Sequence, residues 1–196
     1  MNLIPFIFTL VLGTLPQQSS QNVTFKVFFG STDIGNIKGN MTVLGDETTY
    51  KVISDVEYNS WLYDYQRTTK VEAVFSDDLL KTCKSRVTKY GELEEFNTTT
   101  REDSVYKCFS HPNDHSTIED DIGMTSIVLY FKEPVGISRI FSESYQQFCD
   151  ISKVEGHEYR LNLPDGKTNH YFYENGQLKE VKVYRSLFTV TIKRDS

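Results

Sequence analysis

Asn169-His170-Tyr171-Phe172-Tyr173-Glu174-Asn175-Gly176-Gln177-Leu178-Lys179-Glu180-Val181-Lys182-Val183-Tyr184 reads as two strands and the turn that joins them. Asn169, Tyr171 and Tyr173 alternate with His170 and Glu174, the period of a strand with one wet face. Asn175-Gly176 is the strongest two-residue hairpin signal in the chain. Both residues of a type I′ turn need positive φ, which Asn tolerates and Gly adopts freely. The spacing therefore predicts an antiparallel hairpin that returns from Gln177 to Tyr184.

The same period spreads outward. Val23, Phe25, Val27 and Phe29 alternate with Thr24 and Lys26. Ile37, Met41 and Val43 alternate with Lys38, Asn40 and Thr42. Tyr50, Val52, Val56 and Tyr58 share a face opposite Lys51, Asp55 and Glu57, and Val71, Ala73 and Phe75 oppose Lys70 and Glu72. One face goes to a core and the other to water, which is antiparallel-sheet behaviour. Asp77-Asp78 and Gly91 read as turns around a polar strand, Lys81 to Tyr90, expected near an edge or solvated on one side. Strands of poorer pattern continue to Phe109. His157, Tyr159, Leu161 and Leu163 resume the alternation, Pro164-Asp165-Gly166 turns it, and Phe188, Val190 and Ile192 end it. About ten or eleven strands at this spacing predict a mainly β fold, a single strongly curved antiparallel sheet or half barrel.

Two stretches break the pattern. His111 to Asp121 reads as a solvated loop. Ile127 to Phe131 is an apolar run ended by Glu133-Pro134, and a short helical segment is expected near residues 123–132.

The first twenty residues carry no charged side chain, and Leu3 to Leu12 is nearly unbroken apolar sequence. This is too short to span a bilayer comfortably and fits the apolar region of a secretory signal. Residues 1–20 are thus expected to be removed on export, leaving one β-rich domain over 21–196. The expected location is periplasmic or extracellular, with no membrane span after removal.

Of 196 residues 38% are hydrophobic and 13% aromatic, with Lys+Arg 21 against Asp+Glu 27. The core can be sizeable, and no basic stripe recommends a nucleic-acid partner. Three cysteines, Cys83, Cys108 and Cys149, permit at most one internal bridge, with three pairings open; the expectation is that all three are small core residues. His111 and His115 lie four apart beside Asp114, but Pro112 interrupts them and a metal is not expected. His157 and His170 are expected as half-buried sheet residues. No nucleophile elbow, phosphate-binding loop or dinucleotide fingerprint occurs, so no catalytic residue and no cofactor is assigned. Three N-x-T sequons, at Asn22, Asn40 and Asn97, matter only in a host that glycosylates asparagine on export. Asp103-Ser104-Val105 looks like a short O-glycosylation motif of some Gram-negative bacteria.

Asn59-Ser60-Trp61-Leu62-Tyr63-Asp64-Tyr65 gathers the only Trp and two Tyr between two strands. It reads either as a corner plug of the core or as an aromatic lip on a cavity.

The order Met124 to Phe131, Glu133-Pro134, Phe141-Ser142-Glu143, then Leu163-Pro164-Asp165-Gly166, Asn169, Tyr171, Tyr173 and Gly176-x-Leu178 resembles an uncharacterised family of exported bacterial β-rich proteins, a domain of unknown function. Phe29, Ile34-Gly35, Gly39, Tyr50 and Ser54 fit the opening of the same pattern. Ser76-Asp77-Asp78-Leu79 departs from it, since a Gly is expected in that turn. The family is similar in turn to the open half barrel of LolA-like lipoprotein carriers. That likeness implies a helix against the concave side of a curved sheet, and no catalytic residues come with it. The expected function is binding of a hydrophobic or lipid-like ligand in the concave face, through Tyr50, Tyr58, Trp61, Tyr63, Leu129 and Tyr130. The alternative is a non-enzymatic envelope structural or interaction protein whose cup is filled by its own side chains. Oligomeric state is left open.

Overall fold

The computed structural model describes residues 18–59, 64–185 and 188–195. They form β1 (Gln18–Phe29), β2 (Thr32–Leu44), β3 (Glu47–Asn59), β4 (Asp64–Ser76), β5 (Leu79–Lys89), β6 (Glu92–Glu102), β7 (Val105–Ser110) and β8 (Asp114–Ile118). A 3-10 turn, Ser126–Tyr130, precedes β9 (Arg139–Ser142), β10 (Gln147–Lys153), β11 (Glu158–Asn162), β12 (Thr168–Glu174), β13 (Gln177–Tyr184) and β14 (Thr189–Arg194). All fourteen strands belong to one sheet in the order β8-β7-β6-β5-β4-β3-β2-β1-β14-β13-β12-β11-β10-β9. Neighbours are antiparallel, and the first and last strands meet mid-sheet, Phe25 opposite Arg194 and Phe29 opposite Val190.

The expected mainly β, open antiparallel sheet is what forms. The three strands beyond the expected eleven are β8, β9 and β10. β8 lies where a loop was expected, within 111–121, and is an exposed edge strand. β9 was hidden because Ile140, Phe141 and Ser142 are all buried, which erases the period of two. β5 is polar because its outer face is wet and not because it is an edge; it lies between β4 and β6. Its inward residues Leu80, Cys83, Ser85 and Val87 are buried.

The predicted hairpin turn is present, with Asn175 at φ 51° and Gly176 at φ 74°. Asp77 and Asp78, at φ 51° and 61°, build the same kind of turn without glycine. Asp tolerates the left-handed region better than most residues, at some cost.

Curvature follows from what the 3-10 turn touches. It contacts β3, β4, β9 and β13, strands far apart in the sheet order. The sheet is therefore curled around it. The expected helix over 123–132 is only this five-residue turn, because Thr125 is extended, at φ −119° and ψ 166°, and bridges to Phe141 of β9. Leu80 N–H donates to the Ile122 carbonyl at 2.8 Å, and Phe141 N–H donates to the Met124 carbonyl at 2.9 Å. The crossing segment thus ties β5 to β9 and then plugs the cup. Ile127, Val128 and Leu129 are buried, with Leu129 fully enclosed. Burial of each such side chain contributes about 1.5–3 kcal/mol.

Room for the plug comes from Gly39 on β2. A Cβ there would lie 2.7 Å from Val23 Cγ2 and 2.8 Å from Phe131 Cζ. Phe131 in turn packs on Tyr50, ring centroids 5.4 Å apart, and Tyr130 sets its ring edge-on to Phe25 at 5.5 Å.

Candidate functional site

The plug occupies only part of the cup. The inward faces of β1 to β4, β13 and β14 enclose a second region, a cavity of about 590 Å³. That volume lies within the range of small-molecule sites. Its walls follow from strand parity. Val27 and Phe29 on β1 face inward, as do Ser54, Val56 and Tyr58 on β3 and Val190 and Ile192 on β14, and all line the cavity. Ile34 joins them because the β1–β2 register shifts between Val27 and Phe28, leaving it as the extra residue of a bulge. It is buried and lines the wall. Phe29 is sandwiched edge-on by Tyr58 at 5.4 Å and Phe188 at 5.6 Å. Phe188 is 47% exposed, which places it at the mouth. The charged side chains on the lining are Arg67 of β4, directly opposite Val56, and Arg185, just beyond β13.

Of the six residues expected to bind ligand, Tyr58 lines this cavity. Tyr50 shares its face but lies deeper, between Phe75 and Phe131. Leu129 and Tyr130 belong to the plug and do not line the cavity. Trp61 and Tyr63 lie outside the described residues, in the stretch between β3 and β4. No local pattern in the sequence groups Phe29, Ile34, Val190 and the two arginines. Parity held a signal for Arg67. Extending Val71, Ala73 and Phe75 backward by twos reaches Thr69, Arg67 and Tyr65.

Buried polar groups serve the plug. The Glu143 carboxylate accepts from the Ser126 hydroxyl and, at 2.9 Å, from Ile127 N–H, so it caps the start of the 3-10 turn. Burial pushes its pKa above the usual value, against the pull of those hydrogen bonds. At the far end Glu133 accepts from Tyr159 at 2.8 Å and lies 2.8 Å from His157 Nδ1. Burial pushes the Glu133 carboxyl up, but these two partners outweigh it and hold it below the usual range. Tyr173 donates to the Leu129 carbonyl at 2.7 Å. Burial raises the phenols of Tyr171 and Tyr173, and Tyr130 rises to about 12. A proton donor enclosed in this way is a structural hydrogen bonder and a poor acid.

His157 is exposed, and His170 pairs with Glu158 at 2.6 Å; neither lines the cavity. Among the described residues no group of three His, Cys, Asp or Glu could hold a metal ion, and no helix is long and apolar enough to cross a membrane. The three thiols are free and buried. Cys83 and Cys108 flank Thr99 from opposite sides of β6, so two strand spacings, about 10 Å, separate them, too far for a bridge. Burial pushes the Cys149 thiol up to about 11, far from a reactive thiolate. Asn97 of the third sequon is buried and donates to the Ser144 carbonyl at 3.0 Å, leaving no room for a glycan.

An open antiparallel sheet curled around a crossing plug, with an apolar cavity left at its side, defines a β half barrel. The chain belongs to the family described as domain of unknown function DUF6134, whose profile matches residues 25–195. Among solved structures it is similar to the crystal structure of a beta-barrel-like protein of domain of unknown function DUF1849 from Brucella abortus. That likeness has 11% identity and a TM-score of 0.45, and covers 93% of this chain and 97% of the other. Comparison with curated proteins finds no match.

Proposed function

We propose that this is an exported, non-enzymatic binding protein that holds a hydrophobic or lipid-like ligand in the cavity beside its plug. The observation that carries this reading is the unfilled apolar space bounded by Phe29, Ile34, Val56, Val190 and Ile192. Each methylene moved from water into such a space gains about 0.8 kcal/mol, so one acyl chain can exceed the cost of association. The role is that of LolA-like carriers, reached from the order of motifs and from the curved sheet with a helical segment on its concave side. Residues 1–20 would direct export to the periplasm or beyond and then be removed, which shortens β1 by its first three residues, Gln18 to Ser20; N-terminal sequencing of the exported chain tests that part.

The filled half of the cup favours a second reading, an envelope interaction protein with a self-filled core. Titration with an environment-sensitive hydrophobic dye separates the two. Val190 sits on the cavity wall, so Val190→Trp fills space without adding charge. Saturable binding by the wild type, weakened about tenfold or more in a folded Val190→Trp variant, supports the carrier. Absence of saturable binding by the wild type gives the structural reading.

A further inference from the structure

We infer that the cavity takes a single-chain amphiphile with an acidic head group, recognised by Arg185 and Arg67. This rests on the proposed binding role and narrows its ligand. The lining is apolar except for hydroxyls and two guanidinium groups, and it includes no carboxylate.

Arg185 donates from Nη1 to the Tyr184 carbonyl at 2.9 Å and to Asn169 Oδ1 at 3.4 Å, both uncharged acceptors. It forms no ion pair among the described residues, and the acidic neighbourhood that feels its charge is Tyr145, hydrogen-bonded to Asp165. Arg67 has carboxylates outside the lining, Glu95 at 3.3 Å from Nη2 and Glu94 at 3.6 Å from Nε. Its Nε is nonetheless buried without a hydrogen-bond acceptor. Arg185 is a part-buried cation without an ion-pair partner, and Arg67 carries a buried donor without an acceptor; both leave electrostatic and hydrogen-bonding capacity unused. An acidic head group entering the cavity gives Arg185 the anion it lacks and adds an acceptor beside Arg67.

The guanidinium fork matches the planar pair of oxygens on a carboxylate or phosphate. The two arginines come from β4 and from just beyond the end of β13, and both line the cavity. A head group met by these guanidinium groups leaves its tail to Phe29, Ile34, Val56 and Val190. A neutral hydrocarbon gains from the same walls but leaves both guanidinium groups as they are. A cationic amphiphile is repelled.

The test is a titration of the whole chain with dodecanol, dodecanoate and dodecyl phosphate, at about pH 8 where the acids are ionised. Equal tails isolate the head. The acids should bind about tenfold or more tightly than the alcohol, the range that one charge-assisted contact provides. The tighter of the two acids names the head group. Arg185→Met keeps an apolar stem and removes the charge; it should bring the acids down toward the alcohol while dodecanol binding stays. Arg67→Gln should do so in part. Equal binding of acid and alcohol by the wild type, or an acid preference unchanged in a folded Arg185→Met variant, overturns the inference and leaves the apolar site standing. If none of the three binds, the carrier reading itself falls, and this inference with it.

Discussion

Replacing Gly39 with alanine tests how tightly the plug is fitted to the sheet. The new Cβ would meet Val23 Cγ2 at 2.7 Å and Phe131 Cζ at 2.8 Å. Comfortable carbon contacts lie at about 3.5–4.0 Å, so both neighbours must retreat by most of an ångström. Val23 is buried and β-branched, with little freedom to move. Phe131 is held from behind by the Tyr50 ring. Overpacking of this kind costs about 1–3 kcal/mol. Alanine also stiffens the unfolded chain, which offsets about 0.4–1 kcal/mol. The expected net loss is about 1–2 kcal/mol, or a fall of about 0.5–1 M in the urea midpoint at an m-value near 2 kcal/mol/M. Phe131→Leu withdraws the clashing ring tip. In a double-mutant cycle, Gly39→Ala should therefore cost less when Leu stands at 131, by about 0.5 kcal/mol or more. A Gly39→Ala variant as stable as wild type, or strictly additive effects in the cycle, would refute the close fit of plug to sheet.

The two type I′ turns predict opposite effects. Asp78→Gly should raise stability by at most about 1 kcal/mol, since Gly adopts positive φ without the side-chain penalty but loosens the unfolded chain, whereas Gly176→Val should lower it by about 1 kcal/mol or more. Thermal unfolding of both variants checks this, and a shift of the same sign in both would count against the turn assignment. Glu143 predicts a pH dependence. Its folded pKa lies above the usual 4.5, so the folded state holds the proton more tightly. That contribution is fully present below about pH 4.5 and is lost as pH rises through the folded value. The wild-type urea midpoint should thus fall with rising pH relative to Glu143→Gln, and parallel profiles would contradict a buried, proton-binding carboxylate.

Legibility in the sequence tracked solvent contact. β1 to β4 and β11 to β14 alternate because each shows one face to water, as Lys51 and Glu72 do where they pair across β3 and β4 at 2.8 Å. β9 has no wet face over Ile140, Phe141 and Ser142, so no period marks it. The run Ile127 to Phe131 is apolar all round for a related reason: the sheet surrounds it, and burial from every side does not distinguish a helical turn from a strand. The cavity was legible only in part. Parity placed Tyr58 and Val56 on the inward face, but whether that face is filled depends on where the plug comes to rest. Arg185 and Phe188 reach the same space as Tyr58 only because β1 pairs with β14, a contact between distant parts of the sequence that no local pattern announces.

That pairing has a consequence in time as well as in space. β1 through β8 form a run of hairpins whose partners are adjacent in the chain, and so do β9 through β14. The seam that joins the two runs, Phe25 to Phe29 against Val190 to Arg194, cannot form until the last strand has been synthesised. Until then one edge of β1 offers open backbone donors and acceptors beside apolar side chains, the arrangement that invites another chain to pair. The seam also carries the longest loop closure in the sheet, which places it among the slower steps of assembly. Val27, Phe29, Val190 and Ile192 meet across it, so the cavity is completed by the contact that the growing chain must make last.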